Sequence, residues 1–361
     1  MELTVELITV DLERILNLGE FEAPARENMA PFAFDYYMGG ASDEVTLRAN
    51  IEAFGRFSLR PRVFVDVSSV DPATTMLGAP VSFPVAFAPT ALHKLAHPDG
   101  EIASALACNE AGALMCLSTL SSVSLEDVAE VSTGPRWFQL YVHKERSVAT
   151  DLIKRAVVSG YSAIVVTADL PVPGYREREY RHDLTIPDEA RPMNFGNTAT
   201  EEEFNHYLVG LHDQSLTWED LGWMREAAGD VPLVVKGILT AEDAILAVEH
   251  GVEGIVVSNH GGRQLDRSPA ALDVLEEVVQ AVGDRAEVFF DGGVRRGADV
   301  LIALALGARG VFLGRPLLYA LATAGEAGVC RALELIRAEI ENSMALLGTP
   351  SIGDIHRSHV T

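Results

Sequence analysis

The stretch Ser258-Asn259-His260-Gly261-Gly262-Arg263-Gln264-Leu265-Asp266 sets an imidazole base and a guanidinium three residues apart. Gly261 and Gly262 lie between them and let the backbone bend sharply and come close to a ligand. A histidine takes a proton near neutrality, and an arginine's planar fork grips a carboxylate through two parallel hydrogen bonds. A molecule with a hydroxyl on the carbon beside its carboxylate, a 2-hydroxy acid, needs both. The segment follows Gly254-Ile255-Val256-Val257, an apolar, β-branched run with the length of a buried strand. His260 and Arg263 are therefore expected on the turn that leaves a strand.

A second chemistry is carried by Phe290-Asp291-Gly292-Gly293-Val294-Arg295 and Phe312-Leu313-Gly314-Arg315. Glycine leaves backbone N–H groups open to an anion, and Arg295 and Arg315 add charge. These turns read as a phosphate site. Taken alone, they suit a sugar phosphate as well as any other phosphorylated ligand.

The elements that must position these groups follow a regular alternation. Predicted strands are Pro84–Ala91, Leu114–Ser118, Trp137–Tyr141, Ala163–Asp169, Pro232–Gly237, Gly254–His260, Val288–Gly293 and Gly310–Arg315. Predicted helices between them include Glu101–Ala111, Arg146–Ser159, Ala241–His250, Ala270–Val282 and Ala298–Leu306. Strands this apolar are covered on both faces, and eight such units predict an α/β fold, a (β/α)8 TIM barrel. Polar residues gather at the C-terminal ends of these strands, where barrel active sites are built. Gln139 and Tyr141 end the third strand, Thr167 and Asp169 the fourth, and Lys236 the fifth. Ser258 and His260 end the sixth, Asp291 the seventh and Arg315 the eighth.

Residues 1–80 are expected as a helical preamble, with Ala30–Gly40 as a helix ended by a glycine pair. The barrel is expected over 81–325, and a C-terminal helix (Glu326–Leu347) and tail over 326–361. Nothing linker-like interrupts the chain, so 1–361 reads as a single domain. One connection breaks the rhythm. Between Leu170 and Asp230 no strand is predicted, and only Trp218–Arg225 reads as a helix. Loops beyond about 12–15 residues tend to be functional, and this one leaves the fourth strand on the catalytic rim, so it is expected to be a lid.

The 361 residues carry a formal charge of −24, which argues against nucleic-acid binding and requires a locally positive site for anionic substrates. No apolar run reaches the roughly 18 residues of a membrane span. Three cysteines, with no CxxC pair, predict reduced thiols and a cytoplasmic protein.

The nine-residue stretch resembles the signature of the FMN-dependent 2-hydroxy-acid oxidase and dehydrogenase family, and the resemblance runs from about residue 30 to 360. It implies FMN as cofactor and no metal. The backbone around Pro89-Thr90-Ala91, with Ser118, Gln139 and Thr167, would hold the flavin ring, and Lys236 would lie at its N1–C2 edge. Ser258, Asp291, Gly292, Gly293, Arg295, Gly314 and Arg315 complete the implied cofactor set. Arg176 lies in Asp169-Leu170-Pro171-Val172-Pro173-Gly174-Tyr175-Arg176-Glu177, a match to the family segment that supplies an acid and an arginine. By the same resemblance Arg176 and Arg263 grip the substrate carboxylate with Tyr36, and Tyr141 bonds the 2-hydroxyl. His260 is then the base, and Asp169 stabilises its imidazolium form.

The chain departs from plant glycolate oxidases at Leu120, where those carry a tryptophan. Leucine leaves room beside the substrate's α-carbon, which predicts L-lactate, oxidised to the 2-oxo acid with O2 as acceptor and H2O2 as product. Pro173, Met38 and Leu208 are expected to line the same pocket. Thr90 stays glycolate-oxidase-like, so glycolate remains an alternative, as do larger, mandelate-like acids and a dehydrogenase or monooxygenase reaction. A redox-neutral FMN isomerase would not need two arginines and a histidine on one carboxylate, and a non-catalytic flavin barrel would not need the acid, base and donors together. The family resemblance also implies a homotetramer.

Overall fold

The computed structural model describes residues 10–182, 186–195 and 213–361. Two short antiparallel strands, β1 (Thr74–Met76) and β2 (Ala79–Val81), precede the barrel. The barrel strands are β3 (Val85–Phe87), β4 (Leu114–Leu117), β5 (Arg136–Leu140), β6 (Ile164–Thr167), β7 (Leu233–Ile238), β8 (Gly254–Val257), β9 (Glu287–Asp291) and β10 (Gly310–Leu313). All eight pair in parallel in chain order, and β10 closes onto β3. This is the (β/α)8 barrel expected from the alternation. Most strands stop short of their apolar runs because the polar residues at the C-terminal ends turn out of the ladder to form the rim.

Side chains alternate along each strand. One set, with Leu114, Cys116, Trp137, Val165, Val234, Val256, Phe289 and Phe312, fills the barrel interior. Trp137 packs on Phe289 and Phe312 with ring centroids 5.1 and 5.7 Å apart. Met76 of the hairpin, fully buried, joins this cluster from the N-terminal end. The barrel is thus plugged below, and a ligand cavity is left to the opposite mouth.

The hairpin replaces part of the expected helical preamble. Its strands have three residues each, too few to show a period of two. Its turn uses Leu77 and Gly78, both at positive φ (46° and 76°), and leucine carries no turn signal in sequence. Among the described residues of the preamble, helices lie over Glu22–Asn28, Pro31–Met38 and Val45–Glu52, and residues 57–73 form no helix.

Each barrel strand is followed by a helix packed outside the sheet. The expected helices appear as Gly100–Ala111, Arg146–Val158, Ala241–Glu249, Ala271–Val282 and Gly297–Ala305. In Ala271–Val282 the buried residues Ala271, Leu275, Val278 and Val282 recur every three or four positions, the stripe of an amphipathic helix. Thr240 caps its helix by accepting from the Asp243 N–H, and Ser124 does the same for Asp127. The last helix, Arg315–Leu347, bends at Ala324 and Gly325, so its second limb is the expected tail helix.

After β6 the described chain forms a single helical turn at Glu177–Tyr180, a 3-10 turn at Asp188–Ala190, and the helix Leu221–Ala228. Asn194 ties this connection to the barrel by accepting from the Leu125 N–H at 2.8 Å and donating to the Thr119 carbonyl at 3.0 Å. Part of the expected lid, residues 183–185 and 196–212 with Leu208 among them, lies outside the described residues. Among those described, no helix is long and apolar enough to cross a membrane.

Candidate active site

A cavity of about 850 Å³ opens at the C-terminal mouth of the barrel. Its histidine is held by the turn after β8. There the Asn259 side chain accepts from the Gly262 N–H at 3.0 Å and exchanges two 2.8 Å hydrogen bonds with the amide of Asn50. The turn puts His260 at φ 60°, a left-handed conformation that histidine tolerates better than most residues.

His260 Nδ1 lies 2.9 Å from Asp169 Oδ1, just past the end of β6. A carboxylate can only accept, so it holds the proton on Nδ1 and leaves the Nε2 lone pair available. Nε2 lies 3.5 Å from the Tyr141 hydroxyl. Burial pushes the His260 pKa below its ordinary value, although the Asp169 charge opposes this. Burial resists ionisation of Asp169, but the charges of His260 and Lys236 outweigh it and hold the carboxyl below the usual range. Tyr141 is pushed up to about 12, by burial first and by Asp169 next, so its phenol stays protonated and can donate.

The arginines come from two turns that touch. Arg176 Nε donates to the Arg263 carbonyl at 3.0 Å, and Arg176 Nη2 to Gln264 Oε1 at 3.1 Å. Arg263 Nη1 donates to the carbonyls of Tyr36 and Gly39, and its guanidinium lies 5.1 Å from the Tyr36 ring centre. Gly174 permits the contact between the turns, since a Cβ there would stand 2.2 Å from the Arg263 carbonyl oxygen. Gly174→Ala should therefore force the turns apart and cost about 1–3 kcal/mol, as overpacking does. A denaturant midpoint equal to that of the parent would refute this.

The other half of the cavity is lined by glycine turns and arginines. Gly292, Gly293, Gly314, Arg295 and Arg315 line it, as do Pro89, Thr90 and Ala91. Arg315 spends three donors on the carbonyls of Tyr37, Gly261 and Gly39. Burial and the nearby Arg263 push its pKa down to about 9, the mark of a cation short of an anion. Lys236, itself buried, donates to Ser258 Oγ at 2.9 Å and pairs with Asp291 Oδ2 at 3.0 Å. Asp291 Oδ1 is buried without a hydrogen-bond partner among the described residues. Five cations line the cavity of a strongly acidic chain, so the site is locally positive, as anionic ligands require.

Of the residues singled out in the sequence, Tyr36, Tyr141, Arg176, His260, Arg263, Lys236, Asp291, Leu120 and Pro173 meet at this cavity. Ser118, Gln139 and Thr167 do not line it. They form a buried polar row beneath, with Ser118 Oγ donating to Gln139 Oε1 at 3.2 Å and Gln139 Nε2 to Thr167 Oγ1 at 3.0 Å. Ser258 lies in that same layer, accepting from Lys236 and from the His260 N–H at 3.0 Å. Met38 is a correction: it ends the helix Pro31–Met38 and packs on the hydrophobic core, while Tyr36 faces the cavity. Sequence reasoning missed Asn50, which braces the histidine turn, and Glu179, which lies between the two arginines. The Arg176-Glu177-Arg178-Glu179 spacing signals a helical i,i+3 ion pair with Arg176. The link to Arg263 leaves no local trace.

The family model for FMN-dependent dehydrogenases matches residues 25–361. Glycolate oxidase 3 of Arabidopsis thaliana is 47% identical over 353 residues, covering 96% of each chain. The peroxisomal (S)-2-hydroxyacid oxidase of the same plant is 47% identical over 356 residues, covering 97% of each. A crystal structure of mandelate oxidase with (S)-4-hydroxymandelic acid superposes with a TM-score of 0.91 at 40% identity, covering 96% of this chain and 98% of that one. With the histidine, the arginine pair and the glycine-rich turns on one rim, these likenesses establish that the chain belongs to the FMN-dependent dehydrogenase family and uses FMN to oxidise 2-hydroxy acids.

Proposed function

We propose that this chain oxidises an (S)-2-hydroxy acid with a small α-substituent, L-lactate first, to the 2-oxo acid, with O2 accepting the two electrons and leaving as H2O2. The observation that carries the reading is His260 beside Asp169, facing the same cavity as Arg176 and Arg263. The FMN site fits what it must hold. Glycine turns and two arginines suit a phosphate, and the unpartnered Asp291 Oδ1 suits a hydroxyl donor such as a ribityl chain. Lys236 would supply the fixed positive charge that flavin chemistry draws on.

Bound FMN supplies the two-electron acceptor. The chain's own residues do the rest. Arg176 and Arg263 would hold the carboxylate, and Tyr141 would donate to the 2-hydroxyl. His260 Nε2 would take a proton while Asp169 stabilises the imidazolium so formed.

The substituent is read from Leu120, which lines the cavity together with Leu170, Val172 and Pro173. Such a wall gives a methyl group contacts that the hydrogens of glycolate leave unmade. A methyl in a pocket of this kind is worth about 1–3 kcal/mol, or roughly 10–200-fold. The name of the plant relatives makes glycolate the competing substrate, and the mandelate oxidase likeness makes an aryl acid the third. Specificity constants for L-lactate, glycolate and (S)-mandelate decide among them. We expect L-lactate at least about tenfold above glycolate; the reverse order would sink the proposal.

A further inference from the structure

Among the described residues, Glu179 is the one carboxylate that touches both arginines of the cavity. Its Oε1 accepts from Arg176 Nη1 at 3.2 Å and from Arg263 Nη2 at 2.9 Å. All three side chains are largely buried, with exposures of 12%, 14% and 18% for Arg176, Arg263 and Glu179. Two adjacent guanidiniums taken out of water need an anion, and here the protein supplies its own. The other arms are committed elsewhere. Arg263 Nη1 holds the carbonyls of Tyr36 and Gly39, and Arg176 Nη2 holds Gln264. The remaining terminal arms, Nη1 of Arg176 and Nη2 of Arg263, are the two that Glu179 occupies. An incoming carboxylate gripped by both arginines would meet them at or beside this shared contact. Two carboxylates crowded on one seat repel each other.

We propose that Glu179 is a tethered competitor for the substrate carboxylate. It seats itself on the arginine pair and yields the seat when a 2-hydroxy acid binds. The inference rests on Arg176 and Arg263 being the carboxylate fork. A site open only a fraction of the time binds its ligand more weakly by that fraction. Glu179 therefore lowers the apparent affinity for substrate and product alike, and in doing so it eases release of the 2-oxo acid.

Glu179→Gln keeps the shape and removes the charge. Pyruvate, titrated calorimetrically into the oxidised, FMN-loaded protein, should bind about tenfold more tightly to this variant than to the parent. KM for L-lactate should fall in parallel while kcat does not rise. Glu179→Ala separates competition from support: it too tightens pyruvate binding if Glu179 competes, and weakens it if Glu179 merely holds the arginines in place. Unchanged or weaker pyruvate binding in both variants, with FMN content intact, overturns the proposal. A parent protein that binds no pyruvate and turns over no 2-hydroxy acid overturns the carboxylate-fork reading, and this inference with it.

Discussion

His260→Asn should reduce turnover of L-lactate by about 10²–10⁴, the usual worth of a positioned general base, while leaving FMN bound. Asparagine is chosen because position 260 is left-handed, at φ 60°, and asparagine accepts that conformation readily. The loss is expected in the first half of the reaction, so the rate to follow is flavin bleaching by L-lactate without oxygen. A fall of less than about tenfold would place the base elsewhere. The pH profile tests the same residue independently. Burial depresses the His260 pKa, so the neutral base persists below the ordinary imidazole range. The acid limb of kcat/KM should therefore lie below about pH 6.5 and vanish in the variant. The same shift bears on stability. A pKa lower in the folded state means that the unfolded chain binds the extra proton first as pH falls. The associated stability is complete above about 6.5 and is lost as pH falls through the depressed folded value.

Much of this site could be read before the fold was known, for a physical reason. A buried parallel strand is a continuous apolar run, and the first polar residues after it lie on the rim; that rule alone brings Asp169, Lys236, His260, Asp291 and Arg315 to one mouth. Ser118, Gln139 and Thr167 end their strands in the same way and form a buried polar row one layer beneath the rim. Sequence says which end of a strand a residue occupies, and not whether its side chain reaches the cavity or stops beneath it. Pairings across long separations were equally illegible. Asn50 meets Asn259 across 209 positions, and Arg263 meets Glu179 across 84. Each residue looks like an ordinary polar side chain in its own window. The hairpin at Leu77-Gly78 escaped for another reason: only the tertiary need to plug the barrel, through Met76, justifies so short a pair of strands.

Lys236→Met should be the most damaging single change on the flavin side. Lys236 and Asp291 are paired at 3.0 Å, and both are nearly inaccessible. Burial alone would lower the lysine pKa. The carboxylates of Asp291 and Asp169 more than offset it and push it up to about 12, so the ammonium is charged throughout the working range. Its contribution to stability is complete below about 10.4, the ordinary lysine value, and is lost only as pH rises through the folded value. Methionine fills a similar volume but leaves Asp291 buried without its cation, with Oδ1 already unpartnered. Breaking a buried pair from one side costs about 3–5 kcal/mol, because the remaining charge is uncompensated. Adding Asp291→Asn should restore much of that stability, since no charge is then stranded. It should not restore the flavin: the double variant keeps the deficit in FMN affinity and the more negative reduction potential of bound FMN, because the fixed positive charge is still missing. Stability that recovers while flavin properties do not would assign Lys236 two separable duties. A Lys236→Met protein with parental stability and parental potential would remove it from both.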